Sequence, residues 1–221
     1  MTFILNFHGL GTPKRPYEEG EAPYWISESV FHDTLDLVER TSAPLSITFD
    51  DGNDSDYHIA VPELRRRAMK ASFFVLVGKL DQTGYLTSEQ VAEIDSDPLF
   101  AIGSHGMDHQ PWPDQDDAAL TRELVRSRDI LSQICGRSID DAGLPFGRYD
   151  RRVMQALKQA GYGAIYSSDG GPRLSDSNPI PRFSVRKDTS MDGFGDFLAN
   201  AQSSSARVRQ EAKCIMKQLV R

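Results

Sequence analysis

Two adjacent aspartates, Asp50 and Asp51, follow a strand-like apolar run, Leu45–Phe49, and precede a glycine. Neighbouring residues on an extended strand point to opposite faces, so the two carboxylates can take different roles, such as metal ligand and general base. Asp-Asp-Gly is also a common turn sequence. The pair therefore predicts chemistry only if suitable partners lie elsewhere in the chain.

Two histidines spaced four residues apart, His105 and His109, follow a second strand-like run, Phe100–Gly103. On a helix or in a tight loop this spacing brings two imidazoles to one face, and imidazole and carboxylate groups are ligands of zinc. A lone pair of histidines is weak evidence. However, both clusters follow predicted strands, and ligand sites in parallel α/β folds lie at the carboxyl ends of strands. The two clusters together predict a metal site.

A third candidate element is the turn Gly143–Gly147, which again follows a strand-like run. Proline and glycine there favour a rigid loop with exposed backbone N–H groups, and such a donor can stabilise a developing oxyanion. An ordinary turn that leads to a helix N-cap at Asp150 explains the same residues.

The elements that must position these residues are short apolar strands that alternate with longer helix-like stretches. This alternation, with short links, predicts right-handed crossovers and a parallel sheet or barrel. Ser88 and Asp150 are expected helix N-caps. The expected strands are Phe3–Phe7, Leu45–Phe49, Ala71–Val77, Phe100–Gly103, Ala142–Pro145, Gly163–Ser167 and Phe183–Val185. The expected helices are Ser27–Arg40, His58–Met69, Ser88–Ser96, Asp116–Cys135, Arg151–Ala160 and Gly193–Val220.

Composition limits the class of protein. The chain has 221 residues, of which 39% are hydrophobic, so we expect one domain over residues 1–221 with a sizeable core. The net charge of −7 argues against a general nucleic-acid binder. Two distant cysteines, Cys135 and Cys214, exclude a disulfide framework and a cysteine zinc site. The sequence shows no signal peptide and no membrane-spanning run, so the expected location is the cytoplasm.

The three motifs, in this order and spacing, resemble those of the polysaccharide deacetylase family, also called the NodB homology domain or carbohydrate esterase family 4. They are Thr48-Phe49-Asp50-Asp51-Gly52, His105-x-x-x-His109 and Pro145-x-Gly147, and the resemblance covers roughly residues 1–190. It implies a single-domain distorted (β/α)7 barrel of parallel strands. It also implies a divalent metal, most often zinc, and the removal of acetyl groups from N- or O-acetylated sugars or polysaccharides.

Carried over by position, the resemblance gives each motif a role. Asp50 would be the general base for an activated water that attacks the acetyl carbonyl. Asp51, His105 and His109 would bind the metal, and Phe146 would lend its backbone N–H to an oxyanion hole.

The third motif departs from the usual family pattern. Gly143 stands where the family has an arginine that orients the catalytic aspartate, and Arg148 or Arg182 is a candidate substitute. The sequence Leu144-Pro145-Phe146-Gly147 resembles a branch of the family that is often tied to exopolysaccharide synthesis.

The second and last motifs depart from the pattern as well. Gly106 replaces the Ser or Thr that usually follows the first histidine, and Ser104 is a candidate source of the hydroxyl. The Leu-x-His motif that gives the general acid is missing. We hypothesise that His8, at the end of the first strand, contacts substrate or serves as the acid; a structural histidine in a tight turn is the alternative.

Aromatic and basic residues in the long loops are candidates for substrate binding. Trp25 and Trp112 would stack on sugar rings, although they could equally close the core, and Arg148 and Arg182 complete the candidate set. The leading prediction is a metal-dependent deacetylase of an acetylated carbohydrate. The alternatives are a hydrolase of another non-peptide C–N bond and a catalytically weak, metal-retaining carbohydrate-binding protein.

Overall fold

The strands of this computed structural model, which describes residues 2–41, 44–173 and 178–190, are all parallel. Their hydrogen-bonded order is β7-β6-β5-β4-β3-β2-β1-β8. They are β1 (Phe3–Phe7), β2 (Leu45–Phe49), β3 (Ala71–Val75), β4 (Phe100–Ser104), β5 (Asp141–Gly143), β6 (Ala164–Ser167), β7 (Ile180–Pro181) and β8 (Phe183–Ser184).

The two ends of this sheet are joined by one short segment of chain. β7 and β8 are separated only by Arg182. β7 pairs with β6, whereas β8 pairs with β1. The segment therefore bridges both edges, and the strands form a nearly closed barrel of seven parallel chain segments. The predicted distorted (β/α)7 barrel is confirmed.

Most of the helices that follow the strands match their predicted bounds to within a few residues, and Ser88–Ser96 matches them fully. The predicted helices 58–69 and 116–135 each combine α-helix with a π-helical stretch, Asp56–Ala60 or Arg122–Arg126. The predicted helix Gly193–Val220 lies outside the described residues. No described helix is both long and apolar enough to cross a membrane. The α-helices are α1 (Glu28–Arg40), α2 (Val61–Arg66), α3 (Ser88–Ser96), α4 (Asp117–Thr121), α5 (Ser127–Cys135) and α6 (Arg151–Gln159).

Side-chain hydrogen bonds define where two of these helices begin. Asp150 caps α6 as predicted, because its carboxylate accepts the Val153 N–H at 2.8 Å. The N-cap of α3 is Thr87 rather than the predicted Ser88. Thr87 accepts the Gln90 N–H, and the Gln90 side chain accepts the Thr87 N–H in return, which is a capping box.

The alternation of side chains along the strands separates an apolar layer from a polar interior. Phe7, Phe49 and Phe73 stack on neighbouring strands with ring centroids 5.3 Å and 4.8 Å apart, and all three are fully buried. Phe31 of α1 packs edge-on against Phe7, so this row faces the helices. Burying each such ring contributes about 1.5–3 kcal/mol. Residues one position away on the strands point into the barrel, and this alternation directs Asp50 inward.

Candidate metal centre and active site

The carboxyl ends of β2 and β4 bring Asp51, His105 and His109 together. Asp51 Oδ1 lies 3.5 Å from Nε2 of His105 and 3.5 Å from Nε2 of His109. The three ligand atoms lie within 4.8 Å of one another. Asp51 and His105 are buried, and His109 is partly exposed.

These three side chains fit a divalent metal. Ligand atoms about 2.1 Å from a tetrahedral zinc are about 3.4 Å apart, which matches the two distances to Asp51. Asp51 Oδ1 is buried and accepts no hydrogen bond from the described residues. Such an orphaned oxygen is unfavourable unless a cation satisfies it. Three protein ligands also leave coordination positions for water and substrate.

Both imidazoles are held by their other nitrogen. Nδ1 of His105 lies 2.9 Å from the Gly143 carbonyl oxygen, and Nδ1 of His109 lies 3.0 Å from Glu18 Oε2. A proton on each Nδ1 leaves the Nε2 lone pair free to face Asp51, as in carboxylate–histidine–metal triads. Burial lowers the pKa of His105, which favours the neutral imidazole that binds metals.

Glu18 comes from the long loop before α1, and sequence reasoning missed it. Its carboxylate contacts Lys79 Nζ at 2.9 Å and the Tyr85 hydroxyl at 2.8 Å, in addition to His109. The hydrogen bond from His109 is the main cause that lowers the pKa of Glu18, against the effect of burial. The length of the loop was the only sequence signal for a functional residue there.

Asp50 is held inside the barrel by two side chains. Arg182 donates from Nη1 to Asp50 Oδ1 and from Nη2 to Oδ2, both at 2.7 Å, and Asn6 Nδ2 donates to Oδ2 at 2.9 Å. Asp50 and Arg182 are 2% and 0% exposed. Burial raises the pKa of Asp50, but the charges of Arg182 and the neighbouring histidines outweigh it and hold the pKa below the ordinary value.

Of the two candidate substitutes for the missing arginine, Arg182 is the one that contacts Asp50. Arg148 instead pairs with Asp114 at 2.7 Å on the surface. A Cβ at Gly143 would lie 3.0 Å from His105 Nδ1, so a side chain there would crowd the histidine. The expectation that Arg182 binds substrate is corrected, because its buried guanidinium is turned to Asp50.

A cavity of about 260 Å³ opens above these groups. His8 lines it, with Nε2 4.0 Å from Asp50 Oδ2 and its ring 4.8 Å from that of Tyr24. Phe146 is 53% exposed at the mouth, where its ring stacks on His109 at 4.4 Å.

Neither tryptophan faces the cavity, which corrects the expectation that they stack on sugar rings. Trp25 is 1% exposed and donates its indole N–H to Glu21 at 2.9 Å. Trp112 is fully buried and donates to Glu123. Both rings belong to the packing beneath the loops, because their polar atoms and their faces are already in contact with protein.

A family model for polysaccharide deacetylases matches residues 38–165, more than half of the 221 residues. The chain belongs to the polysaccharide deacetylase family. The match spans the aspartate pair, the two histidines and the Gly143–Gly147 turn.

The individual relatives share less than 30% sequence identity with this chain and are longer than it. The chain is 27% identical over 154 residues to YxkH of Bacillus subtilis, a candidate polysaccharide deacetylase, and covers 55% of that protein. It is 24% identical over 119 residues to the peptidoglycan-N-acetylglucosamine deacetylase PgdA of Listeria monocytogenes. That match spans 53% of this chain and 24% of PgdA. The chain thus spans about half of YxkH and about a quarter of PgdA.

Solved structures of the family share the fold at low sequence identity. The de-N-acetylase from Aggregatibacter actinomycetemcomitans superposes with a TM-score of 0.75 at 16% identity, over 89% of this chain and 99% of that one. The deacetylase PplD of Streptococcus pyogenes superposes with a TM-score of 0.73 at 18% identity, over 88% and 96%. The barrel is therefore that of the family.

Metal titration tests the three-ligand cluster and Glu18. We expect the wild type to bind one zinc ion per chain and His105→Ala to lose binding. We expect Glu18→Gln to weaken affinity by about 10–100-fold, because such partners orient the ligand and raise its basicity. Competition with a chromophoric chelator measures both. Exposed Glu28→Gln is the matched control, and equal affinity of Glu18→Gln and the wild type would contradict the role of Glu18.

Removing the partner of Asp50 should change both stability and pH dependence. The lowered pKa of Asp50 in the folded state stabilises the protein above the unfolded value of about 3.9, and this contribution is lost as the pH falls. We expect Arg182→Leu to lower the free energy of unfolding by about 3–5 kcal/mol at neutral pH, because Asp50 stays buried and unpaired.

The milder Arg182→Lys variant keeps the charge without the paired hydrogen bonds. If Asp50 acts as a base, the acidic limb of the pH–rate profile should lie at higher pH in Arg182→Lys than in the wild type, because the pKa of Asp50 rises. Urea denaturation at pH 7 and pH–rate profiles check the two effects. Unchanged stability of Arg182→Leu would contradict the structural role of the pair.

Proposed function

We propose that this chain is a metal-dependent hydrolase that removes acetyl groups from an N- or O-acetylated sugar or polysaccharide. The observation that carries the proposal is the placement of a restrained carboxylate beside a metal-ligand cluster. Asp50 Oδ2 lies 4.0 Å from His105 Nε2, within reach of any water held between the ligands and the cavity.

The residues of the site have different roles in the proposed hydrolysis. Asp51, His105 and His109 would hold a divalent metal, which would supply polarisation of the acetyl carbonyl and a lower pKa for a bound water. Asp50 accepts the proton of the attacking water, and Arg182 and Asn6 keep its carboxylate in position for that transfer. The lowered pKa of Asp50 keeps its carboxylate ionised throughout the neutral range.

The same cavity offers groups for the later steps. Phe146 stands at the mouth with a positive φ of 56°, and its backbone N–H is our candidate donor to the oxyanion. His8 is our candidate acid for the leaving amine or alcohol, because it lines the cavity beside Asp50. Arg148 is left as a candidate substrate contact on the surface, 42% exposed and paired with Asp114.

The relatives support a sugar substrate with an amide-linked acetyl group. PgdA is a peptidoglycan-N-acetylglucosamine deacetylase, and the matching family is that of polysaccharide deacetylases. The exposed ring of Phe146 gives a sugar an apolar face to stack on at the entrance to the site.

Metal analysis coupled to product release tests the function. Zinc-loaded protein should release acetate from chitooligosaccharides or from acetylated sugar esters, and Asp50→Asn should lose about 10²–10⁴-fold in kcat while it still binds zinc. Ammonia released from a primary amide substrate, without acetate from either acetylated sugar, would instead indicate hydrolysis of another C–N bond. Zinc binding with neither product from any substrate would overturn the enzymatic proposal.

Replacing His8 tests its role as the acid. We expect His8→Ala to lower kcat by about 10²–10⁴-fold, because the leaving group loses its proton donor. His58→Ala, which removes an exposed imidazole, is the matched control. A His8→Ala variant with wild-type kcat and an unchanged pH profile would rule the acid role out.

A further inference from the structure

The loop that carries both histidine ligands, residues 105–109, has an unusual backbone. Gly106 has φ of 88° and His109 has φ of 53°, so both lie in the left-handed region. A non-glycine residue adopts that region only where its surroundings hold it there. The loop must therefore be restrained by other parts of the protein.

Part of the restraint comes from the helical turn Val77–Lys79, which follows β3. The carbonyl oxygens of Gly106 and Met107 accept hydrogen bonds from the backbone N–H groups of Val77 and Gly78 at 3.0 Å and 2.9 Å. The Gly106 N–H donates to the Ser104 hydroxyl at 3.1 Å, so Ser104 supplies the hydroxyl expected from the sequence. These contacts leave the N–H groups of the next two residues to be satisfied.

A single buried carboxylate satisfies them. Met107 N–H donates to Glu123 Oε2 at 2.7 Å, and Asp108 N–H donates to Oε1 at 3.2 Å. The indole N–H of Trp112 donates to the same Oε2 at 3.4 Å. Glu123 is 2% exposed, and the Nη1 atom of Arg122 stands 3.9 Å from Oε1. Within the part of the chain that the structure describes, the hydrogen-bond donors to this side chain are therefore the loop and the indole beside it.

Glu123 also occupies the space that a side chain at position 106 would need. A Cβ built on Gly106 would lie 2.5 Å from Glu123 Oε2 and 3.2 Å from the Trp112 ring. The glycine at position 106 and the glutamate therefore depend on each other, because any side chain at position 106 would collide with the carboxylate.

The glutamate reaches the loop from a π-helical stretch. It belongs to Arg122–Arg126, between α4 and α5. Such stretches are rare and appear frequently at functional sites, because the extra residue in the turn redirects side chains. Here the wider turn places one carboxylate under the loop that carries the ligands.

We propose that Glu123 is the positioning residue of this loop, and that it sets the direction in which His105 and His109 present Nε2 to the metal. It acts through the backbone of Met107 and Asp108 and does not touch the reacting atoms. The inference rests on the proposed metal site. It adds that metal affinity depends on a carboxylate outside the ligand set.

Zinc affinity of Glu123 variants tests the proposal. We expect Glu123→Ala to weaken the zinc Kd by about 10–100-fold in competition with a chromophoric chelator, as loss of an outer partner does elsewhere. Glu123→Gln should give an intermediate Kd, because its amide oxygen still accepts one N–H while its NH2 group faces a donor. Asp95→Asn is the matched control, since this mostly buried carboxylate binds Arg137 away from the loop.

A double-mutant cycle with Gly106→Ala tests the shared space. In the wild type the new Cβ collides with Glu123, so we expect a weaker zinc Kd. In the Glu123→Ala background the collision with the carboxylate is absent while the left-handed φ and the Trp112 contact remain, so the added effect of Gly106→Ala should be smaller but not zero. Independent sites would instead show additive effects.

The outcomes separate this inference from the proposed function. Wild-type protein that binds zinc and releases acetate, with Glu123→Ala and Glu123→Gln at wild-type Kd and only a lower Tm, would overturn the positioning role alone. Wild-type protein that binds no zinc would overturn both. If Glu123→Ala fails to fold, Glu123→Gln still decides, because it is compared with the wild type by its zinc Kd.

Discussion

The buried ion pair between Arg182 and Asp50 is the interaction on which the rest of this structure depends. Two charges in a barrel interior are unfavourable unless each is paired and hydrogen-bonded. Here the guanidinium also donates to Asn6 Oδ1 and to the Ser167 carbonyl oxygen, so its donors are directed to fixed acceptors. The same contact orients the candidate base and holds the segment that closes the barrel. Site and fold are therefore stabilised by one arrangement of atoms.

Around that pair, both ligand histidines and the loop that carries them are held by hydrogen bonds to other segments of the chain. Gly143 and Glu18 hold the two histidines by Nδ1, and Glu123 holds the loop between them. At positions 106 and 143 a glycine leaves space that a neighbouring side chain, Glu123 or His105, occupies.

Much of the fold and the inner site could be predicted from the sequence. Strand ends followed by Asp50, Asp51 and His105 are local patterns, and a parallel barrel brings strand ends to one face. Arg182, Glu18 and Glu123 have no such pattern, because their partners lie 132, 91 and 15 to 16 residues away. Of these three residues, only Arg182 is marked in the sequence, as a charged residue between the apolar strand residues Pro181 and Phe183.

The tryptophans show why loop aromatics were harder to interpret than strand ends. Composition cannot tell whether a ring closes the core or faces a cavity, and both indole rings are buried.

The position of Arg182 between β7 and β8 affects the order of events during biosynthesis. A ribosome delivers Asp50 132 residues before its counter-charge. Until the segment 180–184 docks, β1 and β6 each present an unpaired edge, and the carboxylate has no guanidinium. Docking of the segment 180–184 thus pairs the candidate base with its guanidinium in the same step that closes the sheet.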